Sequence, residues 1–367
     1  MHSVGECNPL ETVPLAPLST LGIGGPARWL ARAEYAEEAA AAHRWAARQG
    51  VPLFILGGGS NLVIADEGIH ALVLQMTSEG GEFQRRGELV AVEVSAGEPW
   101  DRFVEATVIR GLSGIECLSG IPGTVGGTPI QNVGAYGQEV AETIEAVTAL
   151  DRKAGALVQI PARECGFAYR TSRFKGPDAG RFVVLGVTFV LRRGPASVRY
   201  PDLQRHLDAA GVVQPTLIDV RNAVLAVRRS KGMVVDANDP DSRSVGSFFM
   251  NPVVTTAERD RIGEAASAPV PSFETPDGHV KVPAAWLIER SGFARGMTDG
   301  PVGISTKHPL ALVNRGGATA RDVLRLATRI KRGVSDRFGV LLRPEPQFVG
   351  FEQDDAEIAY LTDVKAG

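Results

Sequence analysis

The stretch "SGIPGTVGGTPIQNVGAYGQE", residues 119–139, carries six glycines: Gly120, Gly123, Gly126, Gly127, Gly134 and Gly137. A single turn needs one or two, so a run this dense describes backbone brought close to something else. Between the glycines stand Ser119, Thr124, Gln131 and Asn132, whose hydrogen-bonding groups are small or directional. Ile121, Pro122, Ala135 and Tyr136 are interspersed with them, which argues against simple disorder. The pattern reads as a loop wrapped around a large, flat, phosphate-bearing ligand; a flexible glycine-rich loop is the alternative.

A second loop, "LGGGSNL" at Leu56–Leu62, follows "VPLFIL", an apolar run of buried-strand length. Gly57, Gly58 and Gly59 leave N–H groups able to point into one concavity, a nest that binds phosphate. A tight strand-to-strand turn accounts for the same residues. Other phosphate motifs fail. "GIGGPA" at Gly22–Ala27 has the GxGxxA spacing, but Pro26 interrupts it and "LAPLST" before it is not a convincing strand. No GxxxxGK[ST] occurs.

The totals bound the answer. A chain of 367 residues predicts two or three domains. Hydrophobic residues make up 44 % and the formal net charge is −3, which argues against nucleic acid as the main partner. The three cysteines are scattered and the six histidines form no tight cluster, so neither a disulfide framework nor a metal site is expected. The N-terminal segment lacks a signal-peptide pattern, and no apolar run is long enough for a membrane span. A cytoplasmic protein is the expectation.

Local patterns place the loops. Helices are expected in "EYAEEAAAAHRWAARQG", stopped at Gly50, in "PWDRFVEATVIRG", in "PTLIDVRNAVLAVRRSK" and in "TARDVLRLATRIKRGVSDRFGV", where Thr319 and Asp322 make a capping box. Strands are expected in "LVIADEGIHALVL" with a turn at Asp66–Gly68, in "ELVAVEVSAG", in "RFVVLGVTFVLRR" and in "PEPQFVGFE", with a hairpin about Lys153–Gly155.

Three further stretches carry candidate chemistry. In "FAYRTSRFK", Arg170 beside Tyr169 is either a solvated pair or a guanidinium fork aimed at a carboxylate. Glu345, in "RPEPQFV", is either an exposed turn carboxylate or one raised in pKa by burial. In "SVGSFFMNP", Ser247 stands between Gly246 and two phenylalanines, as a core-edge turn or as a hydroxyl placed for chemistry.

Together "LSTLGIGGPA", "LGGGSNL", "GIPGTVGGTPIQNVGAYG", "YRTSRFK", "GSFFMNP", "WLIERSGFARG" and "LLRPEPQFVG" resemble, in this order, the UDP-N-acetylenolpyruvoylglucosamine reductases (MurB), from about Leu18 to Gly350. The resemblance is to the subclass with a substrate-capping tyrosine. It implies an α+β architecture: an FAD-binding fold of the vanillyl-alcohol-oxidase (PCMH) type in two subdomains, at 1–76 and 77–214, and a C-terminal α+β substrate-binding domain at 215–367. The last strand, near 343–352, is expected to stay with that domain or return to the FAD domain. It further implies an enzyme of peptidoglycan precursor synthesis that uses FAD and NADPH to reduce the enolpyruvyl ether of UDP-N-acetylglucosamine to UDP-N-acetylmuramate. A monomer acting on this small molecule, with no nucleic acid and no membrane insertion, is the expectation.

The resemblance also implies roles. Ser247 would protonate a substrate carbon, while Arg170 and a protonated Glu345 would stabilise the negative charge that develops after hydride transfer. Gly57, Gly58, Gly59, Ser60, Asn61 and Leu62 would hold the cofactor. So would Ser119, Gly120, Ile121, Pro122, Gly123, Thr124, Gly126, Gly127, Gln131, Asn132, Gly134, Ala135, Tyr136 and Gly137. Tyr169, Tyr200, Arg228, Lys231, Gly246 and Asn251 would contact the substrate. The chain departs from the pattern at Met250, where a basic residue is common, and in "TKHPLALVN", which lacks a glutamine that some members carry. Two other readings stand beside this one. An FAD-linked oxidase of the same fold superfamily accounts for the cofactor motifs, and a nucleotide-sugar binding protein accounts for the loops without catalysis.

Overall fold

The computed structural model describes residues 7–363, and its contacts divide the chain into two units. The first comprises the described residues up to Val13, Ala27–Gly59 and His70–Val234; the second comprises Pro14–Pro26, Ser60–Ile69 and the described residues from Val235. The first six residues of the segment read for a targeting signal, and the extreme ends of the expected first and last domains, lie outside the described residues.

The first unit is built on two sheets. One orders its strands Leu10–Pro14, Pro26–Ala33, Ile69–Met76 and Leu53–Leu56, the last two parallel. Helix Ala36–Gln49 links Pro26–Ala33 to Leu53–Leu56 and stops at Gly50, whose φ of 66° is the left-handed conformation that closes a helix without a Cβ penalty. The "GIGGPA" match therefore leads into a strand instead of following one, and the Rossmann reading fails on topology. The other sheet runs Ala156–Pro161, Ile144–Asp151, Phe182–Arg193, Leu89–Ser95 and Gly81–Arg86, all antiparallel. Helix Trp100–Ile109 buries Trp100, Phe103, Val104 and Val108, and Trp100 and Phe103 meet Phe189 at ring separations of 5.9 and 5.0 Å.

The expected break at 214/215 falls ahead of helix Leu217–Ser230. That helix packs through Val220, Ala223 and Val224 on Leu203, Leu207 and Cys117 of the first unit, so the contact boundary comes at Val234–Val235. Strand Gln347–Val349 pairs in parallel with Leu62–Ile64, and both group with the second unit.

In the second unit, the antiparallel strands Thr298–Asp299, Val302–Ile304 and Leu312–Asn314 accompany the long helix Ala320–Phe338. That helix buries Val323, Leu326, Ile330 and Val334, the residues whose spacing predicts it, and the Thr319–Asp322 capping box forms. Asp66 accepts from the Ala320 N–H at 2.7 Å and from the Arg321 N–H at 3.3 Å, which ties the 60–69 segment to the start of the helix. Lys331 is fully buried, and its Nζ donates to the carbonyl oxygens of Tyr360, Leu361 and Asp363 at 2.8, 2.8 and 2.6 Å. Those carbonyls close helix Ala356–Thr362, so the cation meets the negative end of a helix.

Lys331→Met should leave these acceptors unsatisfied and cost about 2–4 kcal/mol in urea unfolding. Hydrogen exchange should speed up first at Ala356–Thr362. A variant unfolding with the parent's midpoint would show that the lysine does not secure this helix.

Candidate functional site

In the first unit the two glycine loops touch. A Cβ placed on Gly58 would lie 2.5 Å from the Cα of Gly123, so only hydrogen fits between these backbones. One placed on Gly126 would lie 2.7 Å from the Cβ of Ala96, whose carbonyl accepts the Gly126 N–H at 2.8 Å. Trp100 fixes the loop at both ends: its backbone N–H donates to Gly123 O and its Nε1–H to Leu118 O, each at 3.0 Å. The N–H groups of Gly58, Gly59 and Gly123 have no protein acceptor among the described residues. Unused donors on touching glycine backbones fit the phosphate end of a dinucleotide cofactor.

Several of the small polar side chains serve the loop itself. Ser119 is fully buried, and its hydroxyl donates to Glu116 O at 2.7 Å. Asn132, at φ 48°, donates from Nδ2 to Glu139 and to Ala168 O and accepts the Ala141 N–H on Oδ1. What these two residues can offer a ligand is backbone.

Tyr169 and Arg170 form the tip of a two-residue hairpin, because Ala168 and Thr171 exchange both backbone hydrogen bonds at 3.1 and 3.2 Å. Arg170 has φ 55°, the positive φ that a type II turn requires at its third position. Its Nη1 donates to Gly134 O at 2.9 Å, Ser172 Oγ to Ile130 O at 2.7 Å, and Lys175 Nζ to Gln131 Oε1 at 3.3 Å. The hairpin is thus stapled to the 130–134 loop. Neither Ser172 nor Lys175 is among the expected site residues; their closeness to Arg170 in "YRTSRFK" is the available signal.

Tyr136 gathers the expected substrate contacts of this unit. Its ring lies edge-on to Tyr200 at 5.5 Å, and its hydroxyl faces the Arg228 guanidinium. Burial pushes the Tyr136 and Tyr200 phenols up. Burial also pulls Arg228 below the usual arginine range, and the like charge of Arg170 adds to that pull. Arg228 Nη2 donates to Met233 O at 2.7 Å, whereas its enclosed Nε meets no acceptor among the described residues. Lys231, at the end of helix Leu217–Ser230, pairs with Asp202 at 3.2 Å.

In the second unit, Ser247 and Glu345 come together through backbone pairing. Phe249 bridges Pro344 antiparallel, the Met250 N–H donates to Arg343 O, and the Glu345 N–H donates to Phe248 O, both at 2.9 Å. On the other side the Phe248 N–H donates to Leu310 O at 2.7 Å. Phe248 and Phe249 are buried, and Gly246 turns the chain into them at φ 76°. The half-buried Ser247 hydroxyl makes no hydrogen bond to protein among the described residues. Asn61 Nδ2 reaches Glu345 O at 3.4 Å, so Ser60, Asn61 and Leu62 group with Glu345, while Gly57–Gly59 group with the other loops. Asn251 Oδ1 accepts the Ala284 N–H at 2.9 Å at the start of helix Ala284–Arg290, leaving its amide N–H groups for a ligand.

Among the described residues no helix is long and apolar enough to cross a membrane, and no cluster of three or more metal-ligating side chains occurs. A glycine-lined α+β unit and a second α+β unit drawn mostly from the C-terminal third of the chain fit an FAD-binding protein with a C-terminal domain. Family models agree: "FAD binding domain" matches residues 27–160, and "UDP-N-acetylenolpyruvoylglucosamine reductase, C-terminal domain" matches residues 239–349. The chain is 51 % identical over 349 residues to the UDP-N-acetylenolpyruvoylglucosamine reductase of Thermobifida fusca, covering 93 % of this chain and 98 % of that one. It is 49 % identical to the Salinispora arenicola enzyme of that name, covering 95 % and 98 %. The crystal structure of the Thermus caldophilus reductase (MurB) superposes with a TM-score of 0.64 at 27 % identity, over 94 % of this chain and 99 % of that one. The chain belongs to the UDP-N-acetylenolpyruvoylglucosamine reductase family.

Gly58→Ala should force the two glycine loops apart and weaken FAD binding roughly tenfold or more, since forced contacts of this kind cost about 1–3 kcal/mol. Fluorescence titration of the flavin-free protein measures it. Parent-like affinity would show that the contact between the loops is not what shapes the cofactor site.

Proposed function

We infer that this protein is an FAD-dependent reductase that uses NADPH to convert the enolpyruvyl ether of UDP-N-acetylglucosamine into UDP-N-acetylmuramate, a step of peptidoglycan precursor synthesis. The observation that supports the reading is the backbone pairing of residues 248–250 with 343–345, which brings the chain next to Ser247 alongside the chain at Glu345. The reading places the reaction in the cytoplasm and takes the working form as a monomer, which sedimentation analysis tests.

FAD held at this site and reduced by NADPH would supply the hydride for the terminal carbon of the substrate double bond. The chain's own residues do the rest. Gly57–Gly59 and the 119–137 loop hold the cofactor through backbone N–H groups. Lys231 and Arg228 present positive charge to the diphosphate, with Tyr136, Tyr169 and Tyr200 as aromatic walls. Asn251 offers its amide to the sugar nucleotide, and Gly246 lets its backbone pass close to it.

As hydride arrives, negative charge develops next to the substrate carboxylate. Arg170, fixed by its bond to Gly134 O, is the cation directed at that charge, and Glu345 is the proposed hydrogen-bond donor to it. Ser247 gives its proton to the carbon beside the ether oxygen. A serine is a weak acid in water, but a carbanion-like centre is strongly basic, and a fixed position matters more than acidity.

Rapid-mixing absorbance separates the two half-reactions. Ser247→Ala should still let NADPH bleach the yellow flavin at the parent's rate, but reoxidation by the sugar nucleotide should slow by roughly 10²-fold or more. Reoxidation at the parent's rate would remove Ser247 from the mechanism, and reoxidation by air at the same rate with or without the sugar nucleotide would replace the reductase by an oxidase. At the other position, Glu345→Gln should keep more of the reoxidation rate than Glu345→Ala, because the amide still donates a hydrogen bond. Equal rates in the two variants would deny Glu345 the donor role.

A further inference from the structure

The FAD-binding match ends at residue 160, yet one residue well beyond it bears on the cofactor loop. Arg221 lies on helix Leu217–Ser230 and is 8 % exposed. Its guanidinium forks onto Asp101, with Nη1–Oδ1 at 2.6 Å and Nη2–Oδ2 at 2.9 Å. Asp101 follows Trp100 in the first turn of helix Trp100–Ile109. The same Oδ1 accepts the N–H of Gly120 at 2.6 Å. One carboxylate oxygen is therefore shared between a buried cation and the first glycine of the 119–127 loop.

Gly120 has little freedom to answer any shift of that oxygen. Its φ is 70°, and a Cβ there would lie 2.7 Å from Leu225 Cδ2 and 3.5 Å from Arg228 Cδ, both on the helix that carries Arg221. Three residues on, Gly123 contacts Gly58, so a rotation at Gly120 reaches the meeting point of the two glycine loops. Burial alone works to raise the Asp101 carboxyl, but the hydrogen bonds from Arg221 and Gly120 outweigh it and hold the group ionised below its ordinary range. An Asp101 deprived of Arg221 loses the fork that aims it.

We propose that Arg221 is a positioning residue of the flavin site, acting through Asp101 on the Gly120 N–H. It touches neither cofactor nor substrate; it sets the direction of the backbone that does. The proposal rests on reading Ser119–Gly127 as a wall of the FAD site.

The test uses the full-length protein, stripped of FAD and titrated back, with flavin fluorescence for affinity and the visible spectrum for environment. Arg221→Lys, Arg221→Met and Asp101→Asn should each bind FAD roughly ten- to hundredfold more weakly, the usual effect of losing a charge-assisted hydrogen bond, with an altered visible band. Asp101→Asn combined with Arg221→Met should be no weaker than the worse single variant, because both break one chain of contacts. Asp151→Asn serves as control: it breaks the Asp151–Arg181 pair at a hairpin end, so it should lower the melting temperature without changing FAD affinity. FAD binding and spectrum like the parent's in folded Arg221 variants would overturn the proposal, as would an equal loss of affinity in Asp151→Asn. Where Arg221→Met fails to fold by circular dichroism, Arg221→Lys and Asp101→Asn decide. A parent protein that takes up no FAD would sink the flavin reading together with the proposal, whereas a parent that binds and variants that bind equally well sink the proposal alone.

Discussion

Backbone meets backbone at Gly58 and Gly123, and much of the first unit is arranged to permit that meeting. No side chain fits there, so both positions give up the conformational restriction that a Cβ provides in the unfolded chain. Neighbouring packing offsets that loss. Gly58 follows the end of strand Leu53–Leu56, whose register is set by pairing with Ile69–Met76. Gly123 is held by Trp100, whose ring is 1 % exposed and packs against Phe103 and Phe189. An aromatic cluster in the core thus fixes the place where a glycine loop presents its N–H groups.

Regular elements with local signals were legible in the sequence. Helix Ala36–Gln49 announced its end at Gly50, and helix Ala320–Phe338 announced its start at Thr319 and its buried face by spacing. Helix Pro201–Ala209 was not read: "YPDLQRHLDA" is short, and only Leu203 and Leu207 are buried along it. Helix Thr256–Ala266 has a capping box at Thr255 and Glu258, but it buries only Ile262 and Ala266, too narrow a stripe to produce a period. In the candidate site, the sequence singled out the loops but could not assign the faces of their small polar residues. Ser119 and Asn132 look like ligand contacts in a glycine-rich run, yet their side chains satisfy buried backbone and neighbouring groups. A hydroxyl or amide in such a loop serves whichever donor or acceptor would otherwise be orphaned, and that depends on strands far away in the chain.

The same limit applies more sharply to Ser247 and Glu345. Nothing local links "GSFFMNP" to "RPEPQFV"; each has its own prolines and aromatics, and neither shows a clean period. They are joined by two backbone hydrogen bonds, Met250 N–H to Arg343 O and Glu345 N–H to Phe248 O, while the Phe248 N–H donates to Leu310 O. The two phenylalanines explain why that arrangement is rigid. Both are buried and stand 5.2 Å apart edge-to-face, so the backbone between Gly246 and Met250 cannot rotate without withdrawing an aromatic ring from the core. The hydroxyl just ahead of them inherits that rigidity although it makes no hydrogen bond of its own among the described residues.

Arg170 shows the opposite way of fixing a side chain. Its backbone is in the left-handed region, where a residue with a Cβ costs on the order of 1 kcal/mol relative to glycine. Glycine would relieve the hairpin at once, so the turn itself does not require an arginine. The side chain must therefore be what the position supplies. The surroundings are consistent with that: Asn132 to Ala168 O, Arg170 to Gly134 O, Ser172 to Ile130 O and Lys175 to Gln131 bind this short hairpin to the glycine-rich loop. Four such contacts are more than enough to hold one strained residue. They fix the direction of the guanidinium relative to the cofactor loop, and a cation directed in advance needs no reorganisation when negative charge appears. Under the proposed reaction, strain at one backbone position and stapling around it serve a single requirement, that the charge be in place before the reaction calls for it.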